Sequence, residues 1–135
     1  MHRAGRQHGA ERTDQVDGQV GELLRLHAPL DADAMHEAGQ QLLGEHDFSA
    51  FRAAGCQSKS ATRDLKRLSV RREGDWVILE VRANAFLQHM VRNITGTLIS
   101  VGSGENRVDW VRDVLQSRDR KQGGITAPPQ GLTLT

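Results

Sequence analysis

Tyrosine is absent from this 135-residue chain, so no phenol can serve any site within it. Cysteine occurs once, at Cys56, which excludes an internal disulfide and a thiolate zinc site. A single thiol agrees with a reducing compartment. No apolar run approaches the length of a membrane span, and the N-terminus carries no apolar signal core. An excess of one charge is also lacking. The 18 Lys and Arg stand against 17 Asp and Glu, a net charge of +1, so any basic surface must be local. None of the six histidines stands at metal-ligand spacing from another His or Cys. No dinucleotide fingerprint or phosphate-binding glycine loop occurs; GSGEN, starting at Gly102, follows a helical pattern and does not open one. Neither a cofactor nor a metal is therefore expected. With 37% hydrophobic and 26% charged residues, the chain suits one modest globular core and not a disordered state.

What is present divides unequally. Residues 1–26 are rich in Gly, Arg, Gln, His and Asp and are almost free of apolar residues before Leu23. This segment is expected to be poorly ordered, because it buries little against the entropy of ordering. Residues 27–135 carry the periodic patterns. Asp31 can cap a helix running to about Gly44, with Met35, Ala38 and Leu42 inward. In HDFSAF, Phe48 and Phe51 are candidate anchors of a short turn. Residues 62–84 read as a β-hairpin turning at Glu73-Gly74-Asp75, with Val77, Leu79 and Val81 on one face. A helix is expected over 86–101. Another, 108–117, has Asn106 as its candidate cap and buries Trp110, Val111, Val114 and Leu115. A tail strand, GLTLT, ends the chain. The expected class is α+β, an antiparallel sheet of hairpin and tail strand with helices on one face.

The most informative stretch is RANAFLQHMVRN, Arg82 to Asn93. Phe86, Met90, Ile94 and Leu98 form one apolar stripe. Arg92 lies off that stripe, on the side of His89 and Gly96. An arginine there can present a rigid fork of donors to a carboxylate or phosphate. On spacing alone, an ordinary solvated side chain accounts for it better. The run from Arg52 to Arg72 holds Arg52, Lys59, Arg63, Lys66, Arg67, Arg71 and Arg72 against one acid, Asp64. Such clusters suit phosphate contacts, and equally a charged edge strand.

These segments, in their order, resemble the TruA family of tRNA pseudouridine synthases. The likeness runs from about Leu30 to Leu134 and matches the C-terminal half of that family. It is carried by LLGEHDFSAFR, CQSKS, the hairpin, RANAFLQHMVRN, the helix around Trp110, DR and TAPPQGLTL. The resemblance implies a cofactor-free isomerisation of uridine to pseudouridine in the anticodon stem-loop of tRNA. It implies a cytoplasmic homodimer. It makes Arg92 the partner of a nucleophilic aspartate and places Arg52, Lys59, Arg63 and His89 toward RNA. The target base must leave its stack to be reached.

The chain departs from the family in ways that bear on activity. The family aspartate belongs to a GRTD-x-GVHA motif in an N-terminal half that has no counterpart here. The one echo is ERTDQVDGQV, where Asp14 follows Arg12-Thr13 but Glu11 replaces the glycine and the Gly-Val-His is absent. A three-residue coincidence in a polar segment accounts for Asp14 better than a working nucleophile does. The family tyrosine that stacks on the target base cannot come from a chain without tyrosine. The expectation is a truncated chain, inactive alone. The alternative is a non-catalytic RNA-binding or assembly remnant of the family.

Overall fold

The structure is a computed structural model. It describes residues 9–16 by their backbone, and residues 18–53 and 59–124 with side chains. Five antiparallel strands form one sheet in the order β1-β2-β5-β4-β3. The strands are β1 (Gly9–Val16), β2 (Gln19–Leu26), β3 (Gly44–Asp47), β4 (Thr62–Glu73) and β5 (Trp76–Ala83). The helices are α1 (Ala32–Gln40), α2 (Met90–Gly102) and α3 (Trp110–Ser117), with short 3-10 turns at Ser49–Phe51 and Arg120–Gln122.

The expected α+β class holds, and its centre is the β4–β5 hairpin. Glu73 pairs with Trp76 across a two-residue loop, and Gly74 adopts φ +63° there, which only glycine enters freely. Strand alternation then sends Val77, Leu79 and Val81 into the core with Leu68 and Val70 of β4. The same core takes Met35 and Ala38 of α1, Ile94 and Leu98 of α2, and Val111 and Val114 of α3. Phe48 and Phe51 are fully buried and flank the first 3-10 turn, as their spacing predicts. On the other face of β5, Ile78 is flanked in register by Arg25 and Arg71. Glu80 there lies 3.8 Å from both Arg67 and Arg71.

Four expectations are corrected. Residues 9–26, within the segment expected to be poorly ordered, form a hairpin instead. β2 is an inner strand paired along its length with β5, and Leu24 and Leu26 are fully buried. Two leucines at alternate positions suffice for a strand once a neighbouring ladder exists, although the overall apolar content is low. Residues 1–8 lie outside the described residues, as does the tail strand at 131–135.

Helix α1 does begin at its Asp31 cap, where Oδ1 accepts from the Ala34 N–H at 3.0 Å, but it ends at Gln40 and not Gly44. Residues 44–47 pair with residues 62–65 of β4. Gly44, at φ +100°, opens that strand and does not stop the helix.

Helix α2 starts at Met90, not Phe86. The preceding stretch is pinned in a non-helical connection. Asn84 donates its N–H to the Asp64 carbonyl at 3.1 Å and accepts from the Asp64 N–H at 2.9 Å, while Ala53 N–H bonds the Gln88 carbonyl at 3.0 Å. Phe86 matches the helical stripe by spacing yet lies in this connection.

Helix α3 begins at Trp110, two residues late. Its N-cap is Asp109 and not Asn106, and no side chain caps it. Val111, Val114 and Leu115 are buried, whereas Trp110 is only partly so. Among the described residues, no helix is long and apolar enough to cross a membrane.

Candidate nucleic-acid interface

The N-terminal turn of α2 is built to hold Arg92 in place. His89 precedes the helix in the left-handed region, φ 63°, and its carbonyl accepts from Asn93 N–H at 2.9 Å. Asn93 is 1% exposed. Its Nδ2 donates to the Phe51 carbonyl at 2.8 Å, and its Oδ1 accepts from Arg120 Nη2 at 3.1 Å. One side chain thus joins α2 to both 3-10 turns. One turn further along, Thr97 Oγ1 donates to the Asn93 carbonyl at 2.9 Å and accepts from Gly124 N–H at 3.1 Å. The chain at Gly124 crosses α2 so closely that a Cβ there would stand 2.7 Å from the Gly96 carbonyl oxygen.

Arg92 itself is half-buried and makes no hydrogen bond or ion pair among the described residues. It occupies the third position of a 13-residue helix. That end of a helix carries partial positive charge, so a cation there is disfavoured by roughly 0.3–1 kcal/mol unless an anion joins it.

Further charges gather round the first 3-10 turn. Asp47 accepts from Ser49 Oγ at 2.5 Å and Ser49 N–H at 2.8 Å. Hydrogen bonding from the Ser49 hydroxyl, outweighing the effect of burial and assisted by Arg118 and Arg52, holds the Asp47 carboxyl below the usual carboxylate range. Arg118 Nε lies 3.9 Å from Asp47 Oδ2. The guanidinium of Arg120 is pushed below its ordinary pKa by burial. Asp119 caps the second 3-10 turn, its Oδ1 accepting from Lys121 N–H at 3.0 Å.

The predicted site residues separate into two groups. Arg52, His89 and Arg92 come together, because residue 53 is bonded to residue 88 and Phe51 to Asn93. Lys59 is exposed on the approach to β4. Arg63 spends donors locally, its Nη1 bonding the Ser60 and Thr62 carbonyls at 3.0 and 2.8 Å. Asp14 falls in the irregular stretch of β1 between Thr13 and Val16. The register sets that stretch two strands from the end of β5, about 10 Å across the sheet. Cys56 lies outside the described residues. Asn93, Asp47, Arg118 and Arg120 were not singled out by sequence reasoning. The usable signal was Asn93, an amide set between Met90 and Ile94 on the apolar side of a helix. Among the described residues, no group of three His, Cys, Asp or Glu is placed to hold a metal.

The family model described as tRNA pseudouridine synthase matches residues 38–135. The chain belongs to that family. It is 53% identical over 112 residues to tRNA pseudouridine synthase A of Pseudoalteromonas atlantica, covering 83% of this chain and 43% of that protein. To the proteins of the same name from Vibrio campbellii and Methylococcus capsulatus it is 55% and 56% identical over 108 residues. Those two matches cover 80% of this chain, and 41% and 40% of the relatives. The chain therefore spans about two-fifths of the length of the curated relatives it matches. The Asn93 clamp and its neighbours all fall inside the matched span.

Proposed function

We propose that this chain supplies one wall of the active cleft of a cytoplasmic tRNA pseudouridine synthase that acts on the anticodon stem-loop. Arg92 is the partner of the nucleophilic aspartate. The observation that carries this reading is an arginine held half-buried and without a partner at the positive end of α2. A carboxylate or phosphate joining Arg92 would relieve both its desolvation and its conflict with the helix dipole. A bidentate contact would keep the aspartate ionised and oriented as a nucleophile. Arg52 and His89 flank Arg92 and face the tRNA backbone, with Lys59 and Arg63 as outlying contacts. The active assembly is a homodimer containing the family's N-terminal half. This chain alone forms no pseudouridine.

The test joins this chain to the N-terminal part of a relative and assays unmodified tRNA for pseudouridine. Arg92→Ala in that chimera is expected to abolish turnover while leaving tRNA affinity within a few-fold. A variant that kept turnover and lost affinity would reverse the assignment. The absence of tyrosine favours a second reading, an RNA-binding remnant without catalysis. It predicts that even the chimera is inactive while still binding tRNA.

A further inference from the structure

A second set of cations lies beyond Arg92, round a groove of about 390 Å³ between the end of α1, β3 and α3. Its polar walls are Gln41, His46, Asp47, Arg112, Gln116 and Arg118. Two guanidinium groups face one carboxylate there. The carboxylate is already engaged, since Asp47 Oδ1 takes both the hydroxyl and the N–H of Ser49. Arg118 approaches it only to 3.9 Å, beyond hydrogen-bond distance, with 68% of the Arg118 side chain exposed. Arg112 is oriented from behind. Its Nε donates to Gln41 Oε1 at 3.2 Å, and Gln41 is fixed in turn by donating to the Val108 carbonyl at 2.7 Å. Arg112 Nη2 also lies 3.9 Å from Asp109 Oδ1, which is outside the groove lining; within the lining itself two guanidinium groups stand against the one carboxylate of Asp47, with the side-chain amide of Gln116 beside them.

The backbone at Arg118 is the second observation. It caps α3 in the left-handed region, φ 56°, where glycine is the easy choice. Arginine there is strained relative to glycine. A solvent-exposed ion pair of 3.9 Å offsets little of that strain. Strain kept at a charged residue beside a groove points to a task for the charge. The position fits the same end. Arg118 stands two residues, at most about 7 Å of chain, from Arg120. Arg120 bonds Asn93, which neighbours Arg92. The groove is thus linked to the α2 terminus through the Arg120–Asn93 contact.

We propose that this groove takes a phosphodiester of the RNA strand bound at Arg92, with Arg118 and Arg112 as its cations. The proposal rests on the RNA-binding reading above. It assigns the pairing with Asp47 to the RNA-free state: Arg118 is aimed by Asp47 and released to the phosphate.

The test is binding of an unmodified tRNA transcript to the purified chain by fluorescence anisotropy over a salt series. Arg118→Gly removes the charge while suiting the left-handed backbone, so its melting temperature should equal or exceed the parent's. Its affinity should fall roughly three- to tenfold, and the slope of log K against log salt should shrink by about one. Arg118→Lys should keep most of the affinity, and Arg112→Gln should behave like Arg118→Gly. Should Arg52→Ala weaken binding while Arg118→Gly leaves affinity and slope unchanged, the groove assignment is wrong and the RNA-binding reading stands. A parent chain with no measurable affinity for tRNA would overturn both.

Discussion

Asn93 donates from Nδ2 to the Phe51 carbonyl at 2.8 Å, across 42 residues of sequence and with both ends buried. Its Oδ1 holds Arg120 at the same time. An apolar replacement would orphan a buried carbonyl and strip one hydrogen bond from a partly desolvated guanidinium. Asn93→Ala is expected to lose about 2–3 kcal/mol of stability by denaturant unfolding. Asn93→Asp should cost less than alanine at neutral pH, because it keeps the contact with Arg120 while opposing the Phe51 carbonyl. Equal losses for the two variants would mean that the Arg120 contact contributes nothing.

Strand β3 pairs with only residues 62–65 of β4, and α1 completes the edge. Val70 N–H donates to His36 Nδ1 at 3.1 Å, and Gln40 Nε2 donates to the Leu68 carbonyl at 2.7 Å. Two side chains one helical turn apart thus stand in for a neighbouring strand. His36→Phe and Gln40→Leu should each cost roughly 1–2 kcal/mol. Hydrogen exchange at the Val70 amide should accelerate in His36→Phe more than in Gln40→Leu.

The crossing at Gly124 leaves no room for a side chain. A Cβ would meet the Gly96 carbonyl oxygen at 2.7 Å and Thr97 Cα at 2.9 Å, both backbone atoms that cannot turn aside. Gly124→Ala should destabilise by roughly 1–3 kcal/mol through overpacking. At Gly104 a Cβ would meet nothing within 4 Å, and the cost is confined to its φ of +87°. Gly104→Asn should therefore be nearly neutral in thermal melts.

Asp47 contributes an acid-side dependence of stability. Its carboxyl is held below the ordinary range in the folded state, chiefly by the Ser49 hydroxyl. A depressed folded pKa stabilises above the unfolded value, near pH 4, and the contribution is lost as pH falls through the folded value. Ser49→Ala should raise the Asp47 midpoint in an NMR titration and move the onset of acid destabilisation to higher pH. Asp47→Asn should remove this part of the slope.

Legibility in the sequence tracks the range of the interactions involved. The β4–β5 hairpin was readable to its turn, because Gly74 and the alternation of Val77, Leu79 and Val81 act within a few residues. The Asp31 cap was readable for the same reason. The start of α2 was not, since Phe86 keeps the helical spacing while bonds from Asp64 and Ala53 hold residues 84 and 88 in a non-helical connection. Strand β2 was hidden because Leu24 and Leu26 are too few to announce a strand without β5 beside them. At the site, Arg92, Arg52 and His89 were visible as residue types in a family pattern. Asn93 and Arg118 acquire significance only through partners distant in the chain, and Asp47 through Arg118 as well as its neighbour Ser49.

By itself the sequence determined the α+β class, the central hairpin, the apolar stripes of the helices and the family to which the chain belongs. The first three rest on periodicity and turn chemistry, which neighbouring residues set among themselves; the family rests on the resemblance of its motifs. Tertiary structure alone decided that Arg92 stands half-buried with no hydrogen-bond or ion-pair partner among the described residues, that Asn93 ties α2 to both 3-10 turns, and that Arg118 and Arg112 face one groove. The physical reason is that a hydrogen bond or charge contact depends on positions in space. The packing of the core, and not the order of the residues, brings those positions together.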